Sequence, residues 1–296
     1  MPEEGIPLRD RAEFMTEEEL IYIAKKFVEF GVKKIRLTGG EPLIKKNFAS
    51  ILDHLSQLPV SLHMTTNGVL LDKYFNDLEK AGLNHLNISL DTLQEDRFGT
   101  ITRRKNFAGV YENIQEAIAR GFKVKVNAVL IKDFNDDEIL NFIELTKNNN
   151  LGIRFIEFMP FQGNKWDTTK KVSEEEVILK AANHFGHKNI IKSPFENNAT
   201  ARVFQVANYE GDFGIISTVT NPFCDTCNRL RLTADGKMKN CLFSNKETDL
   251  LTTLRNGGDI TSLILENVKA KKKGLGGLSD LSKSLSENRP MTTIGG

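Results

Sequence analysis

The 296-residue chain has three cysteines, one tryptophan and no uninterrupted run of about 18 apolar residues. The missing apolar run excludes a membrane-spanning helix. The opening residues "MPEEGIPLRD" lack the hydrophobic core of a signal peptide, so a cytoplasmic location is expected. An odd, small number of cysteines without an export signal argues against a disulfide framework. Excess charge of one sign is also missing: 40 Lys and Arg meet 39 Asp and Glu, a formal net charge of +1. That balance excludes a chain-wide footprint for nucleic acid or an acidic membrane. The one basic run, Lys271-Lys272-Lys273 before the glycine-rich 274–277, reads as a solvated loop.

What is present is a regular alternation of helix and strand patterns. "TEEELIYIAKKFVEFG" opens with a capping box, Thr16 and Glu19, carries apolar residues at helical spacing, and stops at Gly31. Strands are predicted at 33–38, 60–66, 85–91, 123–131 and 152–159, with helices near 47–57, 71–81, 107–120, 136–148 and 173–185. This order predicts a parallel α/β sheet, open or closed into a barrel. From about residue 191 the pattern changes to strand pairs and the cysteine segment. Two units are therefore expected, 1–190 and a smaller 191–296.

The strands do not read as the near-continuous apolar runs of a sheet buried on both faces. Arg36 and Thr38 share one face, as do His63, Thr65 and Asn67; Asn87, Ser89 and Asp91; and Lys123, Lys125 and Asn127. Burying so many polar and cationic groups is costly unless something pairs with them. A wet lumen rich in cations, receiving a polar and phosphorylated ligand, accounts for the pattern.

All three cysteines fall within "NPFCDTCNRLRLTADGKMKNC". Cys224 and Cys227 form C-x2-C, which lets one loop present two thiolates to one metal centre. Asp235-Gly236 signals a two-residue hairpin that returns Cys241 beside the other two. Zinc and an iron–sulfur cluster both remain open. Zinc usually takes four protein ligands and no histidine lies near, whereas a cluster on three thiolates leaves one iron free. Arg229 and Arg231 flank the motif with guanidinium forks suited to phosphate or carboxylate.

The pattern C-x2-C-N-R-L-R-L-T-A-D-G-K-x-x-x-C-L-F resembles the second cluster site of the GTP 3′,8-cyclase family, radical S-adenosylmethionine enzymes of molybdenum cofactor biosynthesis. The resemblance extends through "GVKKIRLTGGEPL", "TTNG", "NISLD", "VKVNAV", "IRFIEFMP", "GIIS" and the final "IGG". It implies a lyase with an incomplete (βα)6 barrel and a smaller iron–sulfur domain. In such an enzyme a 5′-deoxyadenosyl radical removes hydrogen from C3′ of GTP, and the substrate radical attacks C8. The product passes to cyclic pyranopterin monophosphate synthase, and the resemblance allows a homodimer. Carried onto this chain, it implies S-adenosylmethionine contacts at Gly40, Ser89 and Met159. GTP contacts fall at Arg36, Thr65, Lys125, Arg154, Arg229, Leu230 and Arg231. A [4Fe–4S] cluster falls on Cys224, Cys227 and Cys241, and the tail Gly295-Gly296 reaches the active site.

In the family, "MPEEG" follows the C-x3-C-x2-C motif that binds the S-adenosylmethionine-cleaving cluster. Here that stretch opens the chain, so the first strand and this cluster site are expected to be missing and the chain as given to be inactive. Two rival readings are a non-catalytic GTP- or cluster-binding remnant and a zinc-stabilised structural protein.

Overall fold

In the computed structural model, residues 9–162, 164, 166–195, 197–277 and 288–295 are described. Helix α1, Glu17–Glu29, starts as its sequence dictates. The Thr16 hydroxyl accepts from the Glu19 N–H while the Glu19 carboxylate accepts from the Thr16 N–H. Three glutamates in the first turn complement the positive end of the helix dipole. Gly31, at φ +86°, turns the chain into the first strand.

The predicted strands appear as β1 (Lys34–Leu37), β2 (Ser61–Thr66), β3 (His85–Ser89), β4 (Lys123–Leu130) and β5 (Leu151–Glu157). The helices between them include α2 (Phe48–Ser56), α3 (Phe75–Lys80), α4 (Glu95–Thr102), α5 (Phe107–Ala119) and α6 (Ile139–Glu144). The expected helix over 71–81 is broken into a 3-10 turn and α3, and that over 136–148 is shorter than its pattern. After α7 (Glu174–Phe185) come β6 (Ile190–Lys192), β7 (Arg202–Val206) and β8 (Asp212–Ile216). The sheet order is β1-β2-β3-β4-β5-β8-β7-β6. The pairings from β1 through β5 to β8 are parallel, and β7 and β6 add antiparallel. The sheet therefore runs on past residue 190, where a unit boundary was expected.

Leu62, Met64, Leu86, Ile88, Val124, Val126, Ile153 and Phe155 pack into the main core with the helices. The opposite face carries the cations. Register places Arg36 beside His63, His63 beside His85, and His85 beside Lys123. The His63 and His85 rings stack, with centroids 4.2 Å apart. Arg36 Nη2 donates to His63 Nδ1 at 3.2 Å, so the ring proton sits on Nε2, which meets Ser61 Oγ at 3.0 Å. Burial, then the charges of His85, Arg36, Lys34 and Lys125, push His63 down to about 3.

A second, three-stranded antiparallel sheet is formed by β9 (Arg231–Leu232), β10 (Lys237–Lys239) and β11 (Thr248–Asp249). Helices α8 (Leu250–Arg255) and α9 (Thr261–Lys269) cover it. The β9–β10 turn corrects the expected two-residue loop. Thr233 pairs with Lys237 across three residues, with Gly236 at φ +69°. A Cβ on Gly236 would collide with Leu251. Helix α1 joins the two units: Ile21 and Ala24 belong to the main core, whereas Ile23 packs with Met238, Leu250 and Ile264.

The neutral His63 makes the fold acid-sensitive. Its folded pKa lies below its ordinary value of 6.5, so the unfolded chain binds the proton more tightly. Its contribution is present above about pH 6.5 and is lost as pH falls toward 3. In denaturant unfolding, wild-type stability should fall with acid more steeply than that of His63→Gln, by roughly 1.4 kcal/mol per pH unit below about pH 6.5. Parallel curves for the two proteins would overturn this assignment.

Candidate functional site

The inner face of the sheet supplies one wall of the site. Arg36 also directs Nη1 toward Met64 O and Thr65 Oγ1, both at 3.4 Å, so Arg36 and Thr65 come together as expected. Lys125 is reached by solvent yet ringed by protein. Loss of hydration, with the Arg154 charge next, pulls its pKa down despite the nearby Asp212 carboxylate. Arg154 is 6% exposed and ion-pairs with Asp212 through Nη1, which also donates to Ile153 O at 2.8 Å. Gly152 and Gly214 make room for it: a Cβ at either would stand 3.0–3.2 Å from the Arg154 side chain. Asp212 is a partner the sequence pattern did not reveal. It sits at the start of β8, a strand whose parallel pairing with β5 has no local signature.

Beyond the strand ends, loops converge. Gly39, at φ +64°, and Gly40 follow β1, and Glu41 fixes that loop. The Glu41 carboxylate accepts from Leu43 N–H at 3.1 Å, Thr66 Oγ at 2.8 Å and Asn67 N–H at 2.7 Å, tying the ends of β1 and β2 together. The acid of Gly-Gly-Glu-Pro is thus a loop anchor, a role absent from the sequence reading. After β5, the buried Glu157 accepts from Val219 and Thr220 N–H groups at 2.8 and 3.1 Å, while its Oε1 has no partner. Ser89 is exposed at the end of β3, and Asn127 Oδ1, one strand away in register, is buried without a partner. Met159 is half-buried against the cluster of Phe161, Phe243 and Ile294.

The second unit carries the cysteines and a further pair of arginines. Cys224, Cys227 and Cys241 are free and partly exposed. Among the described residues no three His, Cys, Asp or Glu side chains gather as one metal ion would require. The donor chemistry nevertheless suits a sulfur-ligated cluster. Cys224 Sγ accepts from Leu275 N–H at 3.3 Å. Burial raises the Cys227 thiol, but hydrogen bonds from the Arg229 backbone and side chain, with the charges of Arg229 and Lys271, hold it below its ordinary value. Arg229 lies over the Phe223 ring at 4.8 Å, and its Nη2 is buried with no partner. Burial, then Arg229, lowers Arg231, whereas Cys241 and Cys227 raise it. Leu230, between the two arginines, packs its side chain against the second core.

The tail links the second unit to the end of β1. Gly295 is buried at φ +77°, and its carbonyl accepts from Arg231 Nη1. A Cβ there would strike Thr38, so a glycine is required where the tail crosses the end of β1. Gly296 lies outside the described residues. Arg231 is thereby linked through Gly295 to Thr38, two residues beyond Arg36.

Two family models cover the chain in succession, and their boundary falls within the main sheet, ahead of β5. Residues 3–146 match the radical SAM superfamily model and residues 151–276 match Molybdenum Cofactor Synthesis C. The chain is 42% identical to GTP 3′,8-cyclase of Thermodesulfovibrio yellowstonii, over 100% of this chain and 92% of that protein. It is 43% identical to the mitochondrial GTP 3′,8-cyclase of Arabidopsis thaliana, of which it covers 76%. Molybdenum cofactor biosynthesis protein 1 of Drosophila melanogaster is 43% identical over 92% of this chain, which spans about half (49%) of that relative's length. In fold, the chain resembles Streptococcus suis SuiB in its crystal structure with S-adenosylmethionine. The TM-score is 0.55 at 14% identity, over 97% of this chain and 68% of the other. The chain belongs to the GTP 3′,8-cyclase family of the radical S-adenosylmethionine superfamily.

Proposed function

We propose that this chain provides the nucleotide site of GTP 3′,8-cyclase chemistry, a lyase reaction in which S-adenosylmethionine is the radical source. GTP becomes (8S)-3′,8-cyclo-7,8-dihydroguanosine 5′-triphosphate. The observation that carries the reading is cations in two places joined by the tail: Arg36, Lys125 and Arg154 on the sheet, and Arg229 and Arg231 beside the cysteines, with a buried unpartnered Nη2 on Arg229 and Arg231 linked through Gly295 to Thr38. An anionic nucleotide supplies the charge and acceptors such a site lacks. The superfamily match begins at residue 3 and gives no support to the expectation of an inactive chain.

In this reading Arg36, Lys125 and Arg154 hold the triphosphate, and Thr65 keeps the Arg36 guanidinium directed into the lumen. Arg229, Leu230 and Arg231 bound the base from the other side. Gly40, Ser89 and Met159 line the end where S-adenosylmethionine lies, on an incomplete (βα)6 barrel built on the main sheet, which extends past residue 190 to β8. The segment from Cys224 onward provides the cluster and the rest of the nucleotide site. A [4Fe–4S] cluster on Cys224, Cys227 and Cys241 supplies, when bound, an iron without a protein ligand to which guanine can coordinate. This assignment takes all three thiols of the sequence, so ligands for the S-adenosylmethionine-side cluster are not among them. Gly295 lies between Arg231 and the end of β1, and the product passes to an enzyme that makes cyclic pyranopterin monophosphate.

Anaerobic reconstitution with iron and sulfide should load about four of each on the three thiolates per chain, and the centre should bleach in air. Stoichiometric zinc without sulfide would overturn the cluster. For the reconstituted chain, Lys125→Met should weaken GTP by about 30-fold, near 2 kcal/mol, because one partly desolvated phosphate partner is removed. Guanosine binding should change little. An unchanged GTP affinity, or an equal loss for guanosine, would remove Lys125 from the phosphate site.

A further inference from the structure

The basic, glycine-rich segment 271–277 is not the solvated loop its composition suggests. Lys271 Nζ donates to Arg229 O at 2.9 Å and also to Asn240 O. Arg229 lies two residues beyond Cys227, and Asn240 immediately precedes Cys241, so one ammonium joins the two arms that carry the thiols. Four residues on, Leu275 N–H donates to Cys224 Sγ at 3.3 Å. Gly276 then passes so close to Cys241 that a Cβ would stand 3.1 Å from its sulfur.

The backbone makes these approaches in an unusual conformation. Gly274, Leu275, Gly276 and Gly277 have φ of +56°, +46°, +74° and +82°. Glycine adopts this region freely, but Leu275 does not. Its strain persists because Leu275 is held at both ends of the residue: the N–H by Cys224 and the side chain by packing against the cluster of Phe161, Phe243 and Ile294.

We propose that Lys271–Gly277 is a cradle for the iron–sulfur cluster, with Lys271 as the positioning residue that locks the cysteine arms together. The proposal rests on the cluster reading given above. An N–H aimed at a ligating sulfur and a cation behind two ligand arms both stabilise the more reduced, more negative cluster.

The test compares Lys271→Met, Lys271→Arg, Gly276→Ala and the neighbouring Lys273→Met in the full 296-residue chain, reconstituted anaerobically. Iron and sulfide content, midpoint potential by redox titration, and the rate of bleaching in air are measured beside the thermal transition of the metal-free protein. Lys271→Met should shift the midpoint to a more negative value and speed bleaching about 10-fold. Lys271→Arg should recover most of both, and Lys273→Met should match wild type. Gly276→Ala should lower cluster content, and it carries the test if Lys271→Met fails to fold. Wild-type potential and bleaching in Lys271→Met, or equal changes in Lys273→Met, would overturn the cradle while leaving the cluster reading intact. A wild-type chain that takes up no iron and sulfide would overturn both.

Discussion

Like charge gathered on one face of a sheet is the constraint to which most of this structure answers. Lys34, Arg36, Lys123, Lys125 and Arg154 are on neighbouring strands, and among the described residues the ion pair on that face is Arg154 with Asp212. Two adjustments make the face tolerable without a ligand. His63 and His85 are kept neutral between the cations, so their stacked rings fill space without adding charge. Arg154 is folded back over two glycines onto a carboxylate from β8. On the proposed function, the remaining positive field is what the anionic nucleotide answers.

Much of this was legible in the sequence because it is local. The capping box of α1 and the alternation of the strands are short-range patterns with one physical outcome each. The positive-φ glycine at the β9–β10 turn was also readable, though the turn proved one residue longer. Arg36 meeting Thr65 follows from register, which the spacing of the parallel βα units sets.

What the sequence concealed depends on contacts between distant segments. Asp212 becomes the partner of Arg154 only because β8 pairs with β5 rather than with its own hairpin alone. Lys271 looks identical to Lys272 and Lys273 until the fold places two backbone carbonyls around its ammonium. Gly295 reads as a chain end and is instead a crossing point. Composition describes what a segment could do in water; the neighbours that replace water decide what it does.

Asp235 has a consequence for how the molecule comes apart. Its carboxylate, 4% exposed, accepts from Arg9 at 3.1 Å and from Arg289 at 2.9 and 3.0 Å. The segment leading into α1 and the segment delivering the tail are therefore fastened to the same turn. Arg289 is also paired with Glu247, and Asn288 beside it accepts from the fully buried Lys239. One buried carboxylate thus ties the approach to α1 and the approach to Gly295 to the same turn, so its loss removes a fastening from both ends of the described chain at once.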